Sequence, residues 1–189
     1  MKIFIPETET CPCCKSKGCC IIHSYYKRSI IDFSNGEIVK HSVSIMRVIC
    51  KSCGATHAIL PDSIIPYNSY SIFFILEVLT DYYKNSVSVK NLCQHYDISL
   101  KLLYKWIRLF KNHKQHWLGV TKSTEISDFE FLSSLIITDD FSSFTKKFIL
   151  QFSFSFLQSH KNPRGRNGET AGYHQDVFLP NFDIWQPRN

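Results

Sequence analysis

No stretch of this 189-residue chain approaches the about 18–20 uninterrupted apolar residues that a membrane helix needs. The longest, Ser71 to Leu79, is broken by Glu77. The N-terminus M-K-I-F-I-P-E-T-E-T lacks the long apolar core of a secretory signal, and Pro6 cuts what there is. Carboxylates are scarce where bases gather. From Lys84 to Lys122, eight Lys or Arg stand against the single acid Asp97, hence a local charge of +7. Bases are absent in turn from Ser123 to Phe141, which carries the five acids Glu125, Asp128, Glu130, Asp139 and Asp140. The chain also lacks an internal repeat, a nucleophile beside a base, and any set of carboxylates spaced to bind catalytic metal ions. These absences point away from a membrane protein, a secreted protein and an enzyme, and no small-molecule substrate is expected. The expected location is the cytoplasm, with nucleoid association when bound to DNA.

What is present begins with eight cysteines. In a reducing compartment the paired C-x-x-C spacing favours metal over disulfides. Cys11 and Cys14 form one such pair, and Cys50 and Cys53, followed by Gly54, form the other. Two residues between thiolates let both sulfurs of one tight turn reach a single ion. A second such turn completes a tetrahedral Zn²⁺ site with bonds of about 2.3 Å. The expectation is one structural Zn²⁺ on Cys11, Cys14, Cys50 and Cys53, closed to water and therefore not catalytic. Cys13, Cys19 and Cys20, with His23, His41 and His57, remain as alternative ligands. Cys93 falls on the apolar side of a helix and reads as core.

Between the turns, Ile21–Phe33 and Ile38–Ile49 read as two long strands joined by the hairpin signal Ser34-Asn35-Gly36, with a third strand at Ala55–Leu60. So little core would leave this sheet marginal without metal. Pro61 to Tyr70 reads as a boundary.

Ser71 then opens a helix to about Lys84, Ser88 caps a short helix (Val89, Leu92, Cys93 and Tyr96 apolar), and Ser99 caps a longer one expected to stop at Gly119. At about 100° per residue, Lys105, Arg108, Asn112 and Gln115 lie within about 40° of Lys101, with Tyr104 and Lys111 on the flank. Leu100, Leu103, Trp106, Ile107, Phe110 and Trp117 occupy the opposite arc. One core face and one ridge of donors suit a recognition helix in a homeodomain-like helix-turn-helix. Candidate DNA contacts are Ser99, Lys101, Tyr104, Lys105, Arg108, Lys111 and Asn112 on that helix, with Lys90, Arg28 and Arg47 on phosphate. The expected partner is double-stranded DNA, bound by a monomer or a homodimer.

Further on, Ser127–Ile137 reads as a helix. Thr138 or Asp139 would cap another, along which Phe141, Phe144, Phe148, Phe152 and Phe156 form one stripe, as packing or dimer contact, although the alternation Phe152, Phe154, Phe156 would also fit a strand. From Lys161 the chain has no period and reads as a flexible tail, in which Arg164 and Arg166 could touch phosphate. The expected class is α+β: a zinc-ribbon hairpin sheet (1–62), a mainly α helix-turn-helix domain (68–119), C-terminal helices (125–160) and a tail (161–189).

The order C-P-C-C-K-S, hairpin, R-V-I-C-K-S-C-G-A-T-H-A-I-L-P, then S-L-K-L-L-Y-K-W resembles a bacterial domain-of-unknown-function family over roughly residues 3–160. More distantly it resembles the N-terminal zinc-ribbon and helix-turn-helix region of insertion-sequence transposases. That resemblance implies recognition of terminal DNA repeats by the two modules, as a targeting, accessory or regulatory protein. It also implies a departure, since such transposases rely on an RNase H-like domain whose three carboxylates bind two metal ions. Here Asp139-Asp140 is the only acidic pair in the C-terminal third, and it reads better as a helix cap. Two other classes are weighed against DNA binding: a protein-interaction adaptor, and a nuclease or transposase using Asp128, Asp139, Asp140 and His160.

Overall fold

The computed structural model describes residues 5–122, 126–137 and 141–159, together with a two-residue strand at 177–178. It is a mixed α/β chain with an N-terminal sheet followed by helices. The strands are β1 (Cys20–Ser34), β2 (Glu37–Cys50), β3 (Thr56–Ile59) and β4 (Val177–Phe178), adjacent in that order. The hairpin signal works as expected: Asn35 and Gly36 both take positive φ, 54° and 82°, the conformation whose twist matches flanking strands. β3 runs antiparallel to β2, with Met46 opposite Ile59 and Ile49 opposite Thr56. β4 pairs parallel to β3, so the region read from sequence as an aperiodic tail contributes a short strand. Arg164 and Arg166 lie outside the described residues.

The helices are α1 (Ile72–Lys84), α2 (Val89–His95), α3 (Leu100–Thr121), α4 (Asp128–Ile137) and α5 (Phe141–Phe152). Ser71, Ser88 and Ser99 each cap the helix that follows, accepting from the N–H three residues on. Ser127 and Glu130 cap α4 reciprocally, the Glu130 N–H on the Ser127 hydroxyl and the Ser127 N–H on the Glu130 carboxylate. These hydrogen bonds from Ser127 hold the Glu130 carboxyl below its ordinary range. No helix among the described residues is long and apolar enough to cross a membrane.

Two compact units divide the chain. The first holds residues up to Ser29, 42–62 and the strand at 177–178; the second holds 30–41 and 63–159. In the first, a small core gathers Cys11, Cys20, Val48, Cys50 and Ile59, with Cys19 and Met46 against it. In the second, α1 to α5 share one large core built around Phe74, Trp106, Phe110, Phe148 and Phe156. The hairpin tip belongs to this second core. Phe33 packs edge-on to Phe74, with its ring 5.0 Å from that of Tyr96. Asp32 accepts from the Ser71 hydroxyl at 2.8 Å, tying the tip to the cap of α1.

Three expectations need correction. Gly119 does not end α3; the helix runs on to Thr121 and closes on Lys122 in the left-handed conformation, because Trp117 and Leu118 still pack on the core. The Phe stripe is not one helix. α5 stops at Phe152, Ser153 turns left-handed at φ 61°, and Phe156 reaches the core from the turn that follows. Nor is the stripe a free contact face, since Phe141, Phe144, Phe148 and Phe156 are buried in their own unit. Thr138 and Asp139, the expected caps, lie outside the described residues.

Candidate metal centre and basic helix face

The two C-x-x-C turns fold alike, and their backbone shows why. In the first, the Lys15 N–H returns to the Cys11 carbonyl at 2.9 Å and the Cys11 N–H reaches the Ser16 carbonyl at 2.9 Å. In the second, Gly54 N–H returns to Cys50 at 2.8 Å and Cys50 N–H reaches Ala55 at 2.9 Å. The residue after each pair is left-handed, Lys15 at φ 62° and Gly54 at φ 72°. Glycine adopts that conformation without cost and lysine does not. Each turn therefore aims two thiols to the same side.

Those thiols meet. The sulfurs of Cys11, Cys14, Cys50 and Cys53 all lie within 4.8 Å of one another. Cys11 and Cys53 are 3.8 Å apart, and Cys14 and Cys50 3.6 Å. A tetrahedron with Zn–S bonds of about 2.3 Å has edges of about 3.8 Å, so the donor set fits a tetrahedral ion with little adjustment. The four can hold a metal ion. Of the cysteines left open by the sequence, Cys13 is exposed and outside the cluster. Cys19 lies 3.1 Å from Cys50, and Cys20 is buried beside them. His57, buried on β3, brings its Nε2 to 3.4 Å from the Cys11 sulfur. His23 and His41 are on the strands, outside the cluster.

Electrostatics within the cluster are uneven. Burial opposes charge on Cys50, but hydrogen bonds from Cys19, from the Cys53 N–H and thiol, and from the Ser52 N–H outweigh it and lower the thiol to about 5. Cys14 is also lowered, by the hydroxyl and N–H of Ser16. Burial raises Cys11 and pushes Cys20 up to about 12. Hydrogen bonding to Cys50, then burial, raises Cys19. A thiol already favouring its anion is a natural first ligand for a soft cation.

The second unit presents a different surface. α2 and α3 are joined by Tyr96-Asp97-Ile98-Ser99. Asp97 is left-handed at φ 45°; its N–H bonds the Gln94 carbonyl at 3.4 Å, and the Ile98 N–H bonds the Cys93 carbonyl at 3.0 Å. This double bond pattern ends α2 and turns the chain sharply into α3. Ile98 is buried under the turn, and the Tyr96 hydroxyl donates to Asp81 on α1 at 2.7 Å. Cys93 is partly buried against the core.

On α3, Leu103, Trp106, Ile107 and Phe110 are buried, whereas Lys101, Tyr104, Lys105, Arg108, Lys111, Asn112 and Gln115 are exposed. Leu100, placed on the apolar arc by periodicity, is 51% exposed at the first position of the helix. No acidic residue occurs anywhere in α3. Ser99 commits its hydroxyl oxygen to the cap. Lys90 is exposed on α2. Arg28 and Arg47 belong to the first unit, where the Arg47 guanidinium stacks over Tyr26 at 5.1 Å. Lys114 is the exception on α3: its ammonium is buried on Asp128 at 2.7 Å and on the Ile126 carbonyl. That pairing occupies one of the three carboxylates of the nuclease reading; Asp139, Asp140 and His160 lie outside the described residues.

Sequence reasoning underrated Cys19, Cys20 and His57. The density of C-P-C-C followed so soon by C-C was the available signal for the thiols. For His57 the signal was its place on the same face of β3 as Ile59, where β alternation turns both inward.

Residues 11–99 match the model of a domain of unknown function (DUF6431). No curated protein and no solved structure matches the chain.

Proposed function

We propose that the chain is a sequence-specific DNA-binding protein of the mobile-element type, serving targeting, accessory or regulatory roles without a catalytic domain of its own. The observation that carries the reading is the outer face of α3. It combines Lys101, Lys105, Arg108 and Lys111 with the amide Asn112 and the phenol Tyr104, all exposed on a helix without one carboxylate whose opposite face buries Leu103, Trp106, Ile107 and Phe110. Such a face attracts a polyanion by counterion release and offers donors for base edges. In this reading α2, the Asp97 turn and α3 are a helix-turn-helix with α3 as recognition helix, α1 bracing it through Tyr96 and Asp81. Lys90 on α2, and Arg28 and Arg47 in the sheet unit, contact phosphate. The four thiols hold a structural Zn²⁺, which would fix the two turns against each other; with four sulfur ligands it leaves no position for water.

Selection from a random DNA pool, followed by binding of Arg108→Ala, tests the reading. A bidentate guanine contact predicts a loss of about 1–3 kcal/mol on the selected site and relaxed preference there. An equal loss on random DNA refutes base readout by Arg108, and failure to select any sequence refutes the reading as a whole.

The adaptor reading is favoured by one observation. Among the described residues β1 is the last strand on its side of the sheet; its outer edge is bridged at Ile31 to Tyr70, but nearer its start it exposes Ile21, Ile22 and Tyr25. An unpaired edge with apolar side chains is a template for a partner strand. Steep salt dependence of DNA binding supports the first reading over this one.

A further inference from the structure

The cysteine cluster is larger than a single tetrahedral site requires. Two sets of four sulfurs each lie within 4.8 Å of one another: Cys11, Cys14, Cys50 and Cys53, and Cys11, Cys19, Cys20 and Cys50. They share Cys11 and Cys50. A thiolate sulfur has lone pairs enough to bind two cations at once. Two tetrahedra that share an edge need six sulfurs, two bridging and two terminal to each ion. That is the inventory present here.

We propose that the six thiols form a binuclear Zn²⁺ centre, with Cys11 and Cys50 bridging, Cys14 and Cys53 terminal to one ion, and Cys19 and Cys20 terminal to the other. The proposal rests on the zinc reading of the first set and adds a second ion to it. The backbone holds the second pair in place independently of any metal. The Lys51 N–H, inside the second turn, donates to the Cys19 carbonyl at 2.8 Å, and Cys20 is buried as the first residue of β1. The bridging pair is buried as well, and each bridging residue opens one of the two matching turns. Cys19 and Cys50 stand 3.1 Å apart, closer than the about 3.8 Å edge of a zinc–sulfur tetrahedron. Loading the second ion thus separates them by a few tenths of an ångström. It also breaks the bond from the Cys19 thiol to the Ser16 carbonyl, since Cys19 gives its proton to solvent as it becomes a thiolate ligand. Cys13 provides the internal contrast. It lies in the same first turn but is exposed and belongs to neither set.

Native mass spectrometry of the full chain, purified with Zn²⁺ in excess and then desalted, counts the ions directly. The expected result is two Zn²⁺ per chain in the parent protein and in Cys13→Ser. One is expected in Cys19→Ser/Cys20→Ser and one in Cys14→Ser/Cys53→Ser. One ion in the parent, unchanged in Cys19→Ser/Cys20→Ser, overturns the second site and leaves the single four-thiol site standing. No ion in any form overturns both. Two ions that persist in Cys19→Ser/Cys20→Ser place the extra one elsewhere and also overturn the proposal. Should the variants not fold, the parent loaded with ¹¹³Cd²⁺ decides: two resonances split by coupling through shared sulfur are expected, and a single unsplit line refutes the bridge.

Discussion

The two units reach order by different routes. In the helical unit, α1 to α5 bury a continuous apolar core, with one run of aromatic contacts from Phe33 through Phe74 to Trp106 and another from Phe110 through Phe156 to Phe148. In the sheet unit the buried cluster among the described residues is small, with three of its five members cysteine. Burial of a large apolar side chain contributes about 1.5–3 kcal/mol, so the first route needs no ion. On the zinc reading, the second leans on an ion to offset the entropy of ordering two long strands and two tight turns. The difference teaches where each kind of damage should be felt: metal chemistry in one unit, packing in the other.

The sharpest way to break this contrast is to remove metal. Chelation, or Cys50→Ser, is expected to abolish protection of β2 and β3 amides in hydrogen exchange while the helical circular dichroism signal persists. Structural zinc sites in small domains supply about 10–16 kcal/mol of folding free energy, far beyond what this small core could replace. Simultaneous loss of the helical signal would show that the helical core is not self-sufficient. Next in size, Trp106→Ala, which empties a fully buried site between Phe74 and Tyr70, should cost about 3–5 kcal/mol by urea denaturation. Zinc content should be unchanged; a parallel drop in metal would mean that the two routes are coupled. The smallest effect is expected at the turns. Lys15→Gly relieves a left-handed lysine in the first cysteine turn and should raise stability of the sheet unit by up to about 1 kcal/mol, whereas Gly54→Ala at the matching position should lower it by a similar amount. Thermal melts of the zinc-loaded protein check both signs, and no opposition between them would show that the turns are not equivalent.

Local chemistry was readable from the sequence and remote contact was not. Ser71, Ser88 and Ser99 announce helix starts because a short side chain with an acceptor oxygen satisfies the first N–H groups whatever lies around it. Asn35-Gly36 announces the hairpin for the same local reason. The C-x-x-C pairs announce thiols that face one way, and the structure gathers all four. Gly119 misled because a single glycine costs an α-helix only about 1 kcal/mol, and Trp117 against Phe144 and Phe148 outweighs it. Phe152, Phe154 and Phe156 fit two periods at once, and only Ser153 turning left-handed decides between them. Asp32 on Ser71 and Lys114 on Asp128 join residues far apart in the chain, and no spacing rule reaches them. Cys19 and Cys20 fall between these cases. Their residue type was suggestive, but their closeness to Cys50 depends on where β1 begins.

The hairpin turn at Asn35-Gly36 also has a kinetic meaning. Cys14 and Cys50 are 36 positions apart, and in an open chain an ion held by one turn would have to wait for the other to diffuse back. Loop closure carries an entropic cost that grows with the logarithm of the span. A hairpin zipping from its turn closes in about 1–10 μs and delivers both cysteine turns to its open end before any cation arrives. On the zinc reading, metal capture would then be a local encounter with thiols that transient hairpin pairing has already brought near one another, and the arrival of the cation, not the closing of the bend, would set the pace of maturation.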